Sequence, residues 1–409
     1  MSYIVQYFAL ILTFSIVSTK NNVCPSDWDY LTIHSNPECW YDPDVDATIP
    51  GIINNYGFKS DLYNVTTWDG YIIEIFRIPS KLNEIAGESK TPLLLFSGLL
   101  ADARCWLIHG EDSPAIYYAK KGYDVWIANR RGTEFSSHIK YSRNDKEFWN
   151  FSFHEMGTID VPTVVEKVAE VSKQPGNIIF VGHSMGTTSN FVYCSTNSTH
   201  CGKNLKGIIS LAPVAKLSRN RIPFSHFLAI FTEEIKSYLN SLGIYRLEID
   251  SMFRKCLKVP LTFICSVAIK FFTGSYIFPT KMPLLFTQGN TPVSVKVLAH
   301  YGQIINSNGH FRHYDYGKKE NLKKYNTLQP PKYNLENIPV HVTLLYTLND
   351  LVAHKHDVDD LYSNLNPNKR DIVEIPRKNL GHLDFITPSN VEQDLYSEIN
   401  NALKKIKNI

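Results

Sequence analysis

Asn177-Ile-Ile-Phe-Val-Gly-His-Ser-Met-Gly-Thr-Thr188 reads as a short apolar strand that stops abruptly at a serine set between Gly182 and Gly186. A serine alkoxide attacks an ester only where its Oγ projects clear of the backbone, and a sharp strand-to-helix turn achieves this. Such a turn brings backbones so close together that side chains at Gly182 and Gly186 would collide. The helix that follows aims its first N–H groups, that of Met185 included, at the place where negative charge develops. Ser184 is therefore the candidate nucleophile. The pentapeptide alone also fits a plain tight turn with an exposed serine, so its weight comes from the flanking strand and helix.

Around this turn the chain alternates strands with helices. Near-continuous apolar runs at 92–96, 124–128, 178–182 and 207–211 suit strands buried on both faces of a parallel sheet. Segments 113–121 and 161–172 have helical character, with Pro114 and Pro162 placed for first turns. Earlier, Asp69-Gly70 divides a β-rich stretch into a hairpin, 63–68 and 71–78. Residues 21–55, rich in Asp, Pro and Asn, read as an extended lead-in. Strands resume at 340–346 and 371–375, and 391–405 reads as a closing amphipathic helix.

The alternation breaks between 216 and 335, an aromatic-rich stretch of helix-like sequence. Its most hydrophobic part, 259–278, is interrupted by Pro260 and Lys270, which favours a buried or interfacial helix over a membrane span. The expected fold is of the α/β class, a mostly parallel central sheet with an inserted helical cap. Its first part is 20–215, the cap 216–335, and the last part 336–409.

Across 409 residues, 44% hydrophobic and 20% charged content with a net charge of +3 fit a globular chain, with no basic run that argues for nucleic acid. Residues 1–19 read as a signal peptide: 3–17 are almost continuously apolar and Ser18-Thr19 offers small residues for cleavage. That run is too short for a comfortable span, so no integral anchor is expected after cleavage. The secretory route leads to a secreted or lysosomal protein and places seven cysteines in an oxidising compartment. The simplest pairing joins neighbours: Cys24 with Cys39, Cys194 with Cys201, Cys256 with Cys265, leaving Cys105 over. Sequons at Asn64, Asn150 and Asn197 are candidate glycosylation sites.

A serine nucleophile needs a base, and the base needs an orienting carboxylate. Asp350 follows the strand 340–346, and His382 follows the strand 371–375 within Asn379-Leu-Gly-His-Leu-Asp-Phe385. The order Ser, Asp, His, each at a strand end, suits this chemistry. Asp357, Asp359, Asp360 and Asp384 are rival acids, and His354 and His356 rival bases. Most of these rivals sit in or beside a helix at 352–362, and read as solvated surface groups. In Leu93-Leu-Leu-Phe-Ser-Gly-Leu-Leu100, Gly98 permits a turn after a strand, and the Leu99 N–H is the candidate second oxyanion donor.

With these residues in order, the chain resembles the acid lipase family of α/β hydrolases, which includes gastric and lysosomal acid lipases. The resemblance runs from about residue 56 to the C-terminus. It rests on Asp69-Gly-Tyr-Ile72, Gly98-Leu-Leu100, Gly122-Tyr-Asp-Val-Trp126, Arg131-Gly132, Glu147-Phe-Trp149, Phe151-Ser-Phe153, Glu155-Met156, Gly182-His-Ser-Met-Gly-Thr-Thr188, Leu211-Ala-Pro-Val214, Tyr314-Asp315 and His382-Leu-Asp-Phe385. The resemblance implies an α/β-hydrolase fold, a triad of Ser184, Asp350 and His382, oxyanion N–H groups at Leu99 and Met185, and a cap disulfide matched by Cys256 and Cys265. It implies a lipase acting on lipid esters, above all triacylglycerols, at a lipid–water interface, with no metal or organic cofactor. A sterol-ester or short-chain esterase is the alternative within the class, and a catalytically silent lipid-binding protein the alternative outside it. Two residues depart from the family pattern: Ser97 stands where a histidine is usual, and Met185 where a glutamine is usual. The Cys194/Cys201 pair looks like an addition to that pattern.

Overall fold

The computed structural model describes residues 21–79, 90–248, 255–256, 261–288, 291–377, 379–387 and 395–409; the expected signal peptide lies outside them. A nine-stranded sheet forms the centre. In chain order its strands are β1 (Asp61–Thr66), β2 (Tyr71–Ile78), β3 (Pro92–Phe96), β4 (Asp124–Ala128), β5 (Ser136–His138), β6 (Ile178–His183) and β7 (Leu205–Leu211). After two short strands that pair with each other, β8 (Arg246–Leu247) and β9 (Val293–Ser294), come β10 (His341–Tyr346) and β11 (Arg370–Glu374). The spatial order is β1-β2-β4-β3-β6-β7-β10-β11, with β5 on β2. From β4 to β11 every pairing is parallel, and the β1–β2 hairpin adds antiparallel strands at one edge.

The apolar runs become strands because both faces of the sheet are covered. All residues of β3, β4, β6 and β10 are buried. The covering helices include α1 (Ile49–Asn55), α2 (Pro114–Lys120), α3 (Val161–Ser172), α4 (Met185–Thr196) and α5 (Ser198–Asn204). The expected extended lead-in is therefore wrong at 49–55. Pro50 there is a first-turn residue, and the Thr48 hydroxyl caps the helix by accepting the Gly51 N–H.

Between β7 and β10 the described residues form α6 (Ser225–Ile230), α7 (Thr232–Ser241), α8 (Leu261–Thr273), α9 (Met282–Gln288), α10 (Val295–Ile305) and α11 (Lys318–Tyr325). Thirteen residues of α8 extend about 20 Å, short of the roughly 30 Å hydrocarbon core. Among the described residues no helix is long and apolar enough to cross a membrane. Helices α12 (Lys355–Asn364) and α13 (Leu395–Asn408) close the chain. Cys24–Cys39, Cys194–Cys201 and Cys256–Cys265 are bonded, and Cys105 is a buried free thiol. Asn64, Asn150 and Asn197 are all exposed.

Candidate active site

Strand β6 ends in a backbone that few L-residues adopt, with Ser184 at φ 52° and ψ −119°. Three glycines make the turn possible. A Cβ on Gly182 would sit 2.9 Å from the Gly186 carbonyl carbon, one on Gly186 would sit 2.3 Å from the Phe96 carbonyl oxygen, and one on Gly98 would sit 3.0 Å from the Ser184 Cβ. The Ser184 N–H donates to the Leu211 carbonyl at 3.0 Å, which ties the turn to β7.

The loops after β10 and β11 bring Asp350 and His382 to the same place. His382 Nε2 lies 2.7 Å from Ser184 Oγ, and His382 Nδ1 lies 2.9 and 3.1 Å from the two Asp350 oxygens. A carboxylate only accepts, so Nδ1 carries the proton that it donates to Asp350, and Nε2 is left to accept from the serine hydroxyl. All three side chains are buried. Asp350 Oδ1 also accepts the Val352 and Ala353 N–H groups, each at 2.8 Å, and these fix the carboxylate.

The backbone around His382 is held on every side. The Gly381 N–H donates to Asp384, the His382 N–H to the Thr273 carbonyl and the Leu383 N–H to the Ser275 hydroxyl. The His382 carbonyl accepts from His183 Nε2 at 2.9 Å. Burial first, and then the neighbouring His382, push the His183 ring down to about 3, so it stays neutral. On the acid side, Asn349 Nδ2 donates to the Gly274 carbonyl at 2.7 Å. The turn 273–275 after α8 therefore grips both loops, and no local sequence signal pointed to it.

None of the rival residues joins the hydrogen-bonded chain from Ser184 to Asp350. Asp359 pairs with Lys355 and Asp360 with Arg219, while His356 is exposed. Asp357, expected at the surface, is buried and accepts from the Ser218 hydroxyl and the Arg219 N–H, because the segment after β7 packs over α12. His354 is also buried, and its side chain caps α12. Asp384 is buried within the histidine loop, and burial raises its carboxyl to about 6.

Leu99 and Ser184 line one cavity of about 380 Å³, walled by Leu217, Leu228, Ile235, Leu298 and Tyr301 among others. Met185 is the first residue of α4, so its N–H has no partner within the helix. Outside the cavity, α6 and the start of α7 leave Phe224, Phe227, Ile230 and Phe231 exposed, and α8 leaves Phe263, Ile264, Val267 and Phe271 exposed.

A nearly parallel sheet with a glycine-framed serine at the carboxyl end of β6 defines the α/β-hydrolase class. The family described as α/β hydrolase fold matches residues 91–241, and a partial α/β-hydrolase lipase region matches 49–110. The chain is 32% identical over 380 residues to the human gastric triacylglycerol lipase, covering 89% of this chain and 93% of that protein. It is 31% identical over 375 residues to the bovine one, with the same two coverages, and 29% identical over 378 residues to Drosophila melanogaster lipase 1, covering 89% of this chain and 81% of that protein. A soluble variant of the Saccharomyces cerevisiae monoglyceride lipase superposes with a TM-score of 0.53 at 13% identity, covering 89% of this chain and 96% of that one. The chain belongs to the acid lipase family of α/β hydrolases.

Proposed function

We propose that this protein is a lipase that hydrolyses the carboxylic esters of lipids, triacylglycerols foremost, by an acyl-enzyme mechanism on Ser184. The observation that carries the reading is the unbroken, buried hydrogen-bond chain from Ser184, which lines an apolar cavity, through His382 to Asp350. Ser184 Oγ attacks the ester carbonyl carbon while His382 Nε2 takes its proton. The resulting oxyanion is stabilised by the N–H groups of Leu99 and Met185. His382 then gives its proton to the leaving alcohol, and the acyl group remains on Ser184. Water, deprotonated by the same imidazole, attacks the acyl-enzyme; the acyl–Oγ bond breaks, His382 returns its proton to Ser184 Oγ, and the fatty acid leaves. Asp350 keeps Nδ1 protonated and stabilises the imidazolium.

A lipid surface suits the molecule because the aromatic faces of α6, α7 and α8 lie in water when the protein is alone. Wetting that apolar area costs roughly 25 cal/mol per Å², which contact with lipid recovers. Residues 216–335 act as a cap, with α6 and α7 as the part that moves from the cavity at a lipid surface. Three disulfides suit an oxidising compartment, which supports a secreted or lysosomal enzyme. The test is a panel of emulsified triolein, cholesteryl oleate and a soluble butyrate ester across pH. Triolein turnover well above the other two is expected. A preference for the butyrate in every condition makes the protein a short-chain esterase, and no turnover of any ester makes it a binding protein.

A further inference from the structure

The loop after β3 carries a feature that the triad does not require. Arg130, just past β4, is 2% exposed. Its Nη2 donates to the Gly98 carbonyl at 3.0 Å and its Nη1 to the Ala101 carbonyl at 2.7 Å. Its Nε has no partner. No carboxylate pairs with it among the described residues. Asp102 acts on it only through space, and that carboxylate is already engaged by Arg104 and the Thr291 hydroxyl. Burying a guanidinium without a carboxylate is costly, and here burial pulls Arg130 down to about 10. An isolated structural cation is an expensive way to satisfy two carbonyls.

Those two carbonyls bracket Leu99 and Leu100. Between them, Leu100 has φ 62°, a strained value for a leucine, and its carbonyl accepts the Thr291 N–H at 3.2 Å. The carbonyls of 98, 100 and 101 are all claimed by partners, and Leu99 lines the cavity with Ser184. Ser97, where the family resemblance calls for a histidine, offers only a 3.3 Å hydroxyl bond to the Ala101 carbonyl. The Ala101 N–H also donates to the Gly98 carbonyl, but at a long 3.4 Å, and the guanidinium fork clamps both carbonyls of this turn with the shorter bonds.

We propose that Arg130 is a positioning residue for the oxyanion donor, bridging the Gly98 and Ala101 carbonyls so that the Leu99 N–H is held toward the ester oxygen on Ser184. The proposal rests on the serine-hydrolase reading of the site. A single donor misplaced from the oxyanion costs about 100-fold or more in kcat and leaves ground-state binding little changed.

The test compares wild type, Arg130→Met and Arg130→Lys on a soluble butyrate ester. Each rate is taken per competent site, counted by fluorophosphonate titration, and a boronic acid serves as the tetrahedral-state analogue. Arg130→Met is expected to lose about 100-fold in kcat with KM within about three-fold, and to lose boronate affinity in proportion. Arg130→Lys, which keeps the charge but reaches one carbonyl, is expected to fall between. A kcat per site within about three-fold of wild type in either variant overturns the proposal, as does a loss that appears only in KM. If Arg130→Met does not fold, Arg130→Lys decides alone. Wild type inert to both ester and fluorophosphonate defeats the hydrolase reading itself, and this proposal with it.

Discussion

Gly186→Ala tests whether the turn around Ser184 is as crowded as its geometry requires. The new Cβ would lie 2.3 Å from the Phe96 carbonyl oxygen and 3.0 Å from both the Phe96 carbonyl carbon and the Ser97 carbonyl oxygen. A carbon settles against a carbonyl oxygen at about 3.3 Å, so the turn and the end of β3 must part by about 1 Å. Every atom met is backbone, so no rotamer change relieves the contact. The shift is imposed at once on the nucleophile and on the loop that carries Leu99. A displacement of about 1 Å at reacting atoms costs on the order of 100-fold, or about 2.7 kcal/mol of barrier. Hydrolysis of a soluble butyrate ester by purified variant, with melting temperature recorded in parallel, reads this directly. Gly202→Ala is the control, since its Cβ meets only the Pro339 side chain, at 3.2 Å. A folded Gly186→Ala enzyme within about three-fold of wild-type kcat would refute the reasoning, because the turn would then have room that the geometry denies.

Asp350→Asn is expected to lose about 10⁴-fold in kcat by leaving His382 in the wrong tautomer, whereas Asp359→Asn stays near wild type and Asp357→Asn loses stability but not kcat per folded molecule. The ranking is checked by kcat alongside thermal melts. Phe227→Gln removes an aromatic ring that is 62% exposed on α6. Losing roughly 1.5–3 kcal/mol of lipid contact should lower turnover of emulsified triolein about ten-fold or more and leave the soluble ester unaffected; equal loss on both gives the ring a purely structural role. For Asp384, burial raises the folded carboxyl from 3.8 to about 6, so the folded state holds this proton to higher pH than the unfolded chain does. Its favourable contribution is complete below pH 3.8 and is lost as pH rises through 6, by up to about 3 kcal/mol. Denaturant titrations should therefore show Asp384→Asn gaining on wild type between pH 4 and 7, and parallel curves would exclude the burial cost.

The core was legible in the sequence because its strands are buried on both faces. A run such as Pro92–Phe96 has no solvent side, so hydrophobicity alone marks it. Ser184, Asp350 and His382, which the fold brings into one hydrogen-bonded chain, stood out because each sits just past such a strand. What escaped has no local signature. Ser136–His138 is three residues of polar sequence held as β5 by its pairing with β2. Ile49–Asn55 hides its helix behind Pro50 and Gly51. Asp357 lies in a polar helix and reads as surface until the segment at 218–219 folds over it. Arg130 and the turn 273–275 act through backbone groups brought together from distant parts of the chain. Periodicity and motif spacing carry no trace of such contacts.

The catalytic assignment turns on Ser184. Intact protein treated with a fluorophosphonate and mapped by peptide mass spectrometry should carry one adduct, on the peptide containing Ser184. Ester hydrolysis should fall in step with labelling, and Ser184→Ala should neither label nor hydrolyse. Labelling on another residue, or ester hydrolysis retained by folded Ser184→Ala, would contradict the assignment.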